Sequence, residues 1–153
     1  MPKDDFRIDG LDALIRDIEK LGRVPQTAVT QAARAGARIA YKAAKANAPV
    51  DTGELQQAII MKKERKKVVG KAVFDAMIDP GKNDIFVKYS KEGDRSYYPA
   101  SQEYGFLTVS GRYVPGYRYL RRAIDENKEN IERTVLDRAG KEIDKALSKK
   151  GLR

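Results

Sequence analysis

The sequence contains no cysteine, no histidine and no tryptophan. Without thiols there is no disulfide framework and no thiolate nucleophile. Without imidazole the commonest general base at neutral pH is missing, and with both gone so are the usual zinc and iron ligand sets. Histidine-based hydrolytic triads and zinc ribbons are thereby excluded, and folding depends on no redox compartment. Long apolar runs are also lacking. No uncharged stretch approaches the roughly 20 residues of a membrane-spanning helix, and Met1-Pro2-Lys3-Asp4-Asp5 does not open like a signal peptide. The expectation is a protein without a membrane partner.

What is present fits one globular domain, residues 1–153, with 41% apolar and 35% charged positions. Lys and Arg number 31 against 22 Asp and Glu, a net charge of +9, which raises the question of nucleic acid. The excess lies beyond residue 57, mostly in two clusters. One is Lys62, Lys63, Arg65, Lys66, Lys67 and Lys71, interrupted only by Glu64; the other is Arg112, Arg118, Arg121 and Arg122. The first reads either as a solvated turn or sheet edge that discourages edge-to-edge pairing, or as a basic extension meeting an acidic partner or DNA phosphate. Composition does not separate the two.

Periodicity organises the chain. Phe6 and Ile8 flank Arg7 in a short alternating stretch, and Leu11, Leu14, Ile15, Ile18 and Leu21 then recur at helical spacing, predicting a short helix over 10–21 that stops at Gly22. A long Ala-rich helix is expected over 25–47, its small residues allowing close backbone approach. Pro49 and Gly53 end it in a turn, where Asp51 or Thr52 can accept backbone N–H bonds, fixing the angle to a first strand at Ala58–Met61. Further strands are expected at Val68–Phe74 and Ile85–Tyr89, giving an antiparallel sheet over 58–90. Residues 93–119 mix Gly, Pro, Ser and Tyr as a long loop with short elements would. A C-terminal helix over 117–148 carries Leu120, Ile124, Ile131, Val135, Ala139, Ile143 and Leu147 on one stripe, followed by a frayed tail from Lys149. The fold class is α+β: N-terminal helices and a long C-terminal helix packed on a small, mostly antiparallel β-sheet.

No catalytic constellation emerges. Asp4-Asp5 and Asp125-Glu126 have no second half of a metal or glycosidase site, and Gly140-Lys141 lacks the glycines and hydroxyl of a phosphate-binding loop. The basic run has no interleaved aromatics on which bases would stack, and no recognition helix is evident. No cofactor, metal or enzymatic activity is expected. All tyrosines but Tyr41 and Tyr89 fall between Gly93 and Tyr119: Tyr97, Tyr98, Tyr104, Tyr113, Tyr117 and Tyr119. They alternate with Arg112, Arg118, Arg121 and Arg122, and Tyr and Arg gain most from protein contacts. The loop suggests a subunit interface, with core closure beneath the long helix as the other reading of the same tyrosines. For Glu103 an intersubunit charge pair, an intrachain pair and a solvated carboxylate are all open.

The segment Ala48-Pro49-Val50-Asp51-Thr52-Gly53-Glu54-Leu55 after an Ala-rich helix, then Glu103-Tyr104-Gly105, then Pro115 to Ala123 opening a final helix, resembles the tail-component family of tailed bacteriophages and prophages. This is the small group of head–tail joining, neck or tail-completion proteins, and the resemblance covers about residues 5–147. It departs from the pattern at Phe106, where relatives carry Thr, and at Arg118-Tyr119-Leu120, where they carry Pro-Phe-Leu. The resemblance implies a structural virion protein, in copies of itself around the phage axis as a ring (a hexamer), near the top of the tail. It implies neck, tail-terminator or tail-tube proteins as partners, the virion as location and the host cytoplasm as the place of assembly. Non-specific contact with phage DNA is left open, and the alternative function is sequence-independent nucleic-acid binding.

Overall fold

The computed structural model describes residues 10–22 and 25–152. The alternating stretch at Phe6 and Ile8 lies outside them. The chain is α+β, with seven α-helices among the described residues and strands that pair antiparallel. It divides into two compact units. One holds the residues up to Gly36, Glu64–Val73 and those from Glu129 on; the other holds Ala37–Lys63 and Phe74–Lys128.

In the first unit, α1 (Leu11–Leu21) turns Leu14, Ile18 and Leu21 toward Ala28, Ile143 and Leu147. It stops where the sequence predicts, at Gly22, whose left-handed φ of 71° lets its N–H bond Glu19 O. The helix α2 (Gln26–Asn47) supplies this unit with Ala28 and Ala32, both buried, and with Gly36. The last helix, α7 (Lys128–Lys149), supplies Ile143 and Leu147. A Cβ on Gly36 would lie 2.6 Å from Val135 Cγ2 and 3.2 Å from Ile131 Cγ2, so α2 and α7 touch here only because a side chain is missing. The tail expected to fray is capped instead: Gly151 N–H bonds Ser148 O at 3.1 Å and Leu152 N–H bonds Leu147 O at 3.0 Å, the paired bonds of a Schellman motif.

The second unit has its own core: Ala44, Ala48, Leu55, Ala58, Ile59, Phe86, Tyr119 and Ala123. After α2, a turn leads into α3 (Glu54–Ala58), a short helix where the sequence reading runs straight into strand. Strand β1 (Ile59–Lys63) pairs with β2 (Phe74–Ile78), Ile59 opposite Ile78 and Lys63 opposite Phe74. The sequence reading sets this second strand too early. Val68–Lys71 is a tight turn closed by Lys71 N–H to Val68 O, with Gly70 at φ 77°, and Val69 stands 97% exposed. A Val-Val pair has strand propensity, but a glycine with positive φ two residues on turns the chain first. Similarly, Ile85 and Phe86 end α4 (Asn83–Phe86), and only Val87–Tyr89 form β3, which pairs with β4 (Arg95–Tyr97).

The Tyr-rich segment is more ordered than a loop: it carries β4, α5 (Tyr98–Tyr104), β5 (Gly105–Leu107), β6 (Tyr113–Pro115) and the start of α6 (Tyr119–Asp125). The strands therefore form three separate two-stranded ladders, where one sheet over 58–90 was expected. Nor is the C-terminal helix continuous. Asn127 N–H bonds Ile124 O at 3.1 Å, tightening the last turn of α6, while its side-chain amide bonds Ala123 O at 3.0 Å, and α7 begins anew at Lys128. The stripe predicted across the break accordingly fails at Ile124, which is exposed.

Two glycines give opposite predictions. Gly36→Leu should lower stability by about 1–3 kcal/mol through overpacking. Gly140→Ala, inside α7 with nothing within 4 Å of the added Cβ, should raise it by up to about 1 kcal/mol through helix propensity. Urea unfolding followed by circular dichroism measures both.

Candidate functional site

The functional candidates of the second unit rest on one side chain. Glu103, near the end of α5, is 5% exposed, the one charged residue buried among those described. Its Oε2 accepts the N–H of Leu120 at 2.8 Å and its Oε1 that of Arg121 at 3.1 Å. Its own carbonyl accepts the N–H of Arg118 at 3.1 Å. The first N–H groups of a helix have no partner within it, and the local residue at this end, Arg118, gives no side-chain cap. A carboxylate reaching from α5 therefore caps α6 from outside, and it meets the positive end of the helix dipole as it does so. The sequence reading places Glu103 with the interface residues; the structure buries it, which removes the solvated carboxylate from the roles left open, and gives it intrachain partners that are backbone N–H groups instead of a cation.

The residues after it lock the same junction. Gly105, at φ 88°, pairs with Pro115 at the base of the β5–β6 hairpin. A Cβ there would run into Val114 O and approach Gly116 N to 2.8 Å, and one on Gly116 would run into Glu103 O. The two glycines thus let two backbones cross in contact. Tyr117 N–H bonds Gln102 O at 2.7 Å, and Tyr113 Oη donates to Tyr104 O at 2.6 Å. The motif Glu103-Tyr104-Gly105 and the segment from Pro115, separate in sequence, are one structural joint.

The Tyr/Arg set divides at this joint. Tyr119 is buried, its hydroxyl donating to Pro99 O at 3.3 Å, so it belongs to the core and not to an interface. Tyr97 and Tyr98 are half-buried around Phe86, Tyr98 stacked on it and Tyr97 edge-on, and Tyr97 Oη bonds Asn83 Oδ1 at 3.0 Å. Tyr104, Tyr113 and Tyr117 are exposed, as are Arg112, Arg118, Arg121 and Arg122. Arg121 and Arg122 pair along α6 with Asp125 at 3.3 Å and Glu126 at 2.7 Å, surface bridges of small energy. Phe106, which the sequence reading notes only as a departure from the family pattern, is exposed on the hairpin, as are Leu107 and Val109, which no charge or motif in that reading singles out.

The turn after α2 is built from the residues the sequence nominates. Gly53 takes φ 81°, Thr52 Oγ1 accepts Glu54 N–H at 3.4 Å and donates to the Glu54 carboxylate at 3.2 Å, and Leu55 is buried. Gln56 reaches back to Lys45 O at 2.8 Å, satisfying a carbonyl at the end of α2. Together with α4, α5 and β5, this turn encloses an open groove of about 560 Å³. Pro49, Leu55, Ile85, Phe86, Phe106 and Leu107 give it apolar walls, and Asp51, Glu54 and Lys88 give it charge.

The basic residues are all exposed: Lys62 and Lys63 end β1 in the second unit, while Arg65, Lys66, Lys67 and Lys71 belong to the first. There Gln26 braces the turn from α2, its Oε1 accepting Gly70 N–H at 2.8 Å and its Nε2 donating to Lys71 O at 3.0 Å. Among the described residues no cluster of three or more acidic side chains could hold a metal ion, and no helix is long and apolar enough to cross a membrane.

The chain is a small α+β protein that carries exposed aromatic and apolar side chains on short elements tied to one another by hydrogen bonds. Residues 12–92 match the family described as "Bacteriophage HK97-gp10, putative tail-component", and the chain belongs to that family of phage tail components. The matched stretch includes the turn at Pro49–Leu55 and the basic run, and ends before Glu103. Neither the search of curated proteins nor that of solved structures found a match.

Burial raises the hydroxyl pKa of Tyr119 above its ordinary value of 10.0, and the nearby Glu103 carboxylate adds to the rise. Tyr97 and Tyr98 are shifted the same way, again mainly by burial. The unfolded chain then ionises first. Stability from these groups is complete below about pH 10 and declines as pH climbs toward their folded values. The denaturant midpoint should fall above pH 10, and less steeply in Tyr119→Phe. Glu103→Gln, which replaces one acceptor by an N–H donor facing an N–H, should cost about 1.5–3 kcal/mol in the same assay.

Proposed function

We propose that this tail component is a ring-forming connector of the head–tail joining or tail-completion kind, placed near the top of the tail. Six copies close the ring, and neck, tail-terminator or tail-tube proteins are its neighbours. It is taken up in the host cytoplasm during assembly and stays in the virion. Its work is geometric, since head-to-tail contacts repeated by rotation close into a ring.

The observation that carries this reading is the β5–β6 hairpin. Leu107 is 69% exposed and Val109 fully so, with Tyr104 and Tyr113 exposed beside them, on a hairpin whose base is fixed by the Gly105–Gly116 crossing and Glu103. Apolar side chains concentrated on a rigid projection mark a protein-binding surface, and rigidity lowers the ordering cost of binding. In this reading the exposed Tyr117, Arg112, Arg118, Arg121 and Arg122 add to the contact, while Tyr97 and Tyr98, half-buried around Phe86, offer only their uncovered edges.

The double variant Leu107→Asp/Val109→Asp tests it. Both side chains are exposed, so the free protein should keep its stability within about 0.5 kcal/mol, while tails completed with the variant should lose infectivity when assayed by complementation. Normal titres would refute the hairpin's role.

A further inference from the structure

Two surfaces of this chain are complementary to each other. The turn Arg65–Lys71 carries Arg65, Lys66, Lys67 and Lys71 with Val69 at its tip, 97% exposed. A valine held wholly in water among cations has no part in its own unit's core, and Gln26 fixes the turn's shape through Gly70 and Lys71. The groove of the second unit offers the complement: apolar walls of Leu55, Phe86, Phe106 and Leu107, with the exposed carboxylates of Asp51 and Glu54 on the turn that borders it outnumbering the one cation of its lining, Lys88. Its volume of about 560 Å³ accommodates the tip of a tight turn.

We propose that the braced basic turn of one subunit docks into the acidic-rimmed groove of the next copy, Val69 entering the apolar walls and the flanking lysines meeting Asp51 and Glu54. Two different patches of one chain pairing in this way make a heterologous contact, the kind that repeats around a ring. The opposed charges set register and orientation, and the apolar tip supplies the desolvated centre. The inference rests on the ring reading and names the surfaces that would close it. It also assigns Arg65, Lys66, Lys67 and Lys71 of the first cluster to a protein partner instead of DNA.

The absence of cysteine from the chain gives a clean test. Val69→Cys/Leu107→Cys is assembled into tails and oxidised, with each single variant as control. A ladder of covalent oligomers from the double variant, and at most dimers from the singles, is the expected result. A ring seen by electron microscopy without that ladder would overturn the docking and leave the ring reading standing. A chain present as single copies would overturn both. Charge reversal provides a second readout: Lys66→Glu/Lys67→Glu and Asp51→Lys/Glu54→Lys should each lower the yield of completed tails about tenfold or more, and combining them should restore most of it. No rescue, together with loss of salt-dependent binding to a random-sequence DNA duplex in Lys66→Glu/Lys67→Glu, would give the basic turn to nucleic acid and contradict the proposal.

Discussion

The bond from the Glu103 carboxylate to the first N–H groups of α6 is the constraint on which the setting of the second unit's exposed hairpin depends. A buried carboxylate is tolerated only where its charge is met, and here it is met by two backbone donors and by the helix terminus they belong to. That requirement ties α5 to α6 across an intervening hairpin. Once both helices are tied, Gly105 and Gly116 must cross at backbone contact, and the β5–β6 hairpin has one direction in which to leave the joint. Arg118 carries the conformational cost: with φ 52° it is the non-glycine residue with positive φ among those described, placed where the chain turns into α6.

In the proposed role, this bracing of exposed side chains is what the tail component offers its neighbours. An exposed Leu or Val on a mobile loop contributes little to association, because ordering the loop offsets the burial. The hairpin escapes that penalty through its locked base, and the basic turn escapes it through Gln26, a residue on another element that bonds both sides of Gly70. Both surfaces combine apolar tips with flanking charge, the composition that gives specific rather than indiscriminate contact. Membership of a phage tail-component family and these two presentations point in the same direction.

Much of the fold could be read from local pattern, and what could not depended on distant partners. The helices α1 and α2 follow from apolar spacing and from Gly22 and Pro49, whose stop signals act within a few residues. The Pro49–Leu55 turn was legible for the same reason. The strand misplaced at Val68 and the continuous C-terminal helix both came from extending a period through a residue that breaks it, Gly70 in one case and Asn127 in the other. Glu103 stands out in the sequence but its role does not, since its partners lie 17 and 18 residues away and are backbone groups with no sequence signature. Tyr119 looks like its exposed neighbours in sequence and differs from them only in facing Pro99 and the core. The hairpin's Leu107 and Val109 carry no sequence signal, because an exposed apolar residue draws its meaning from the braced hairpin that holds it.

The central claim is that this chain acts by presenting fixed surfaces to other subunits. An electron cryomicroscopy map of completed tails tests it most directly. The account predicts a closed ring of this subunit at the head-proximal end of the tail, with each β5–β6 hairpin buried against a neighbouring chain. A completed particle lacking the subunit, or holding it with that hairpin in solvent, would contradict it.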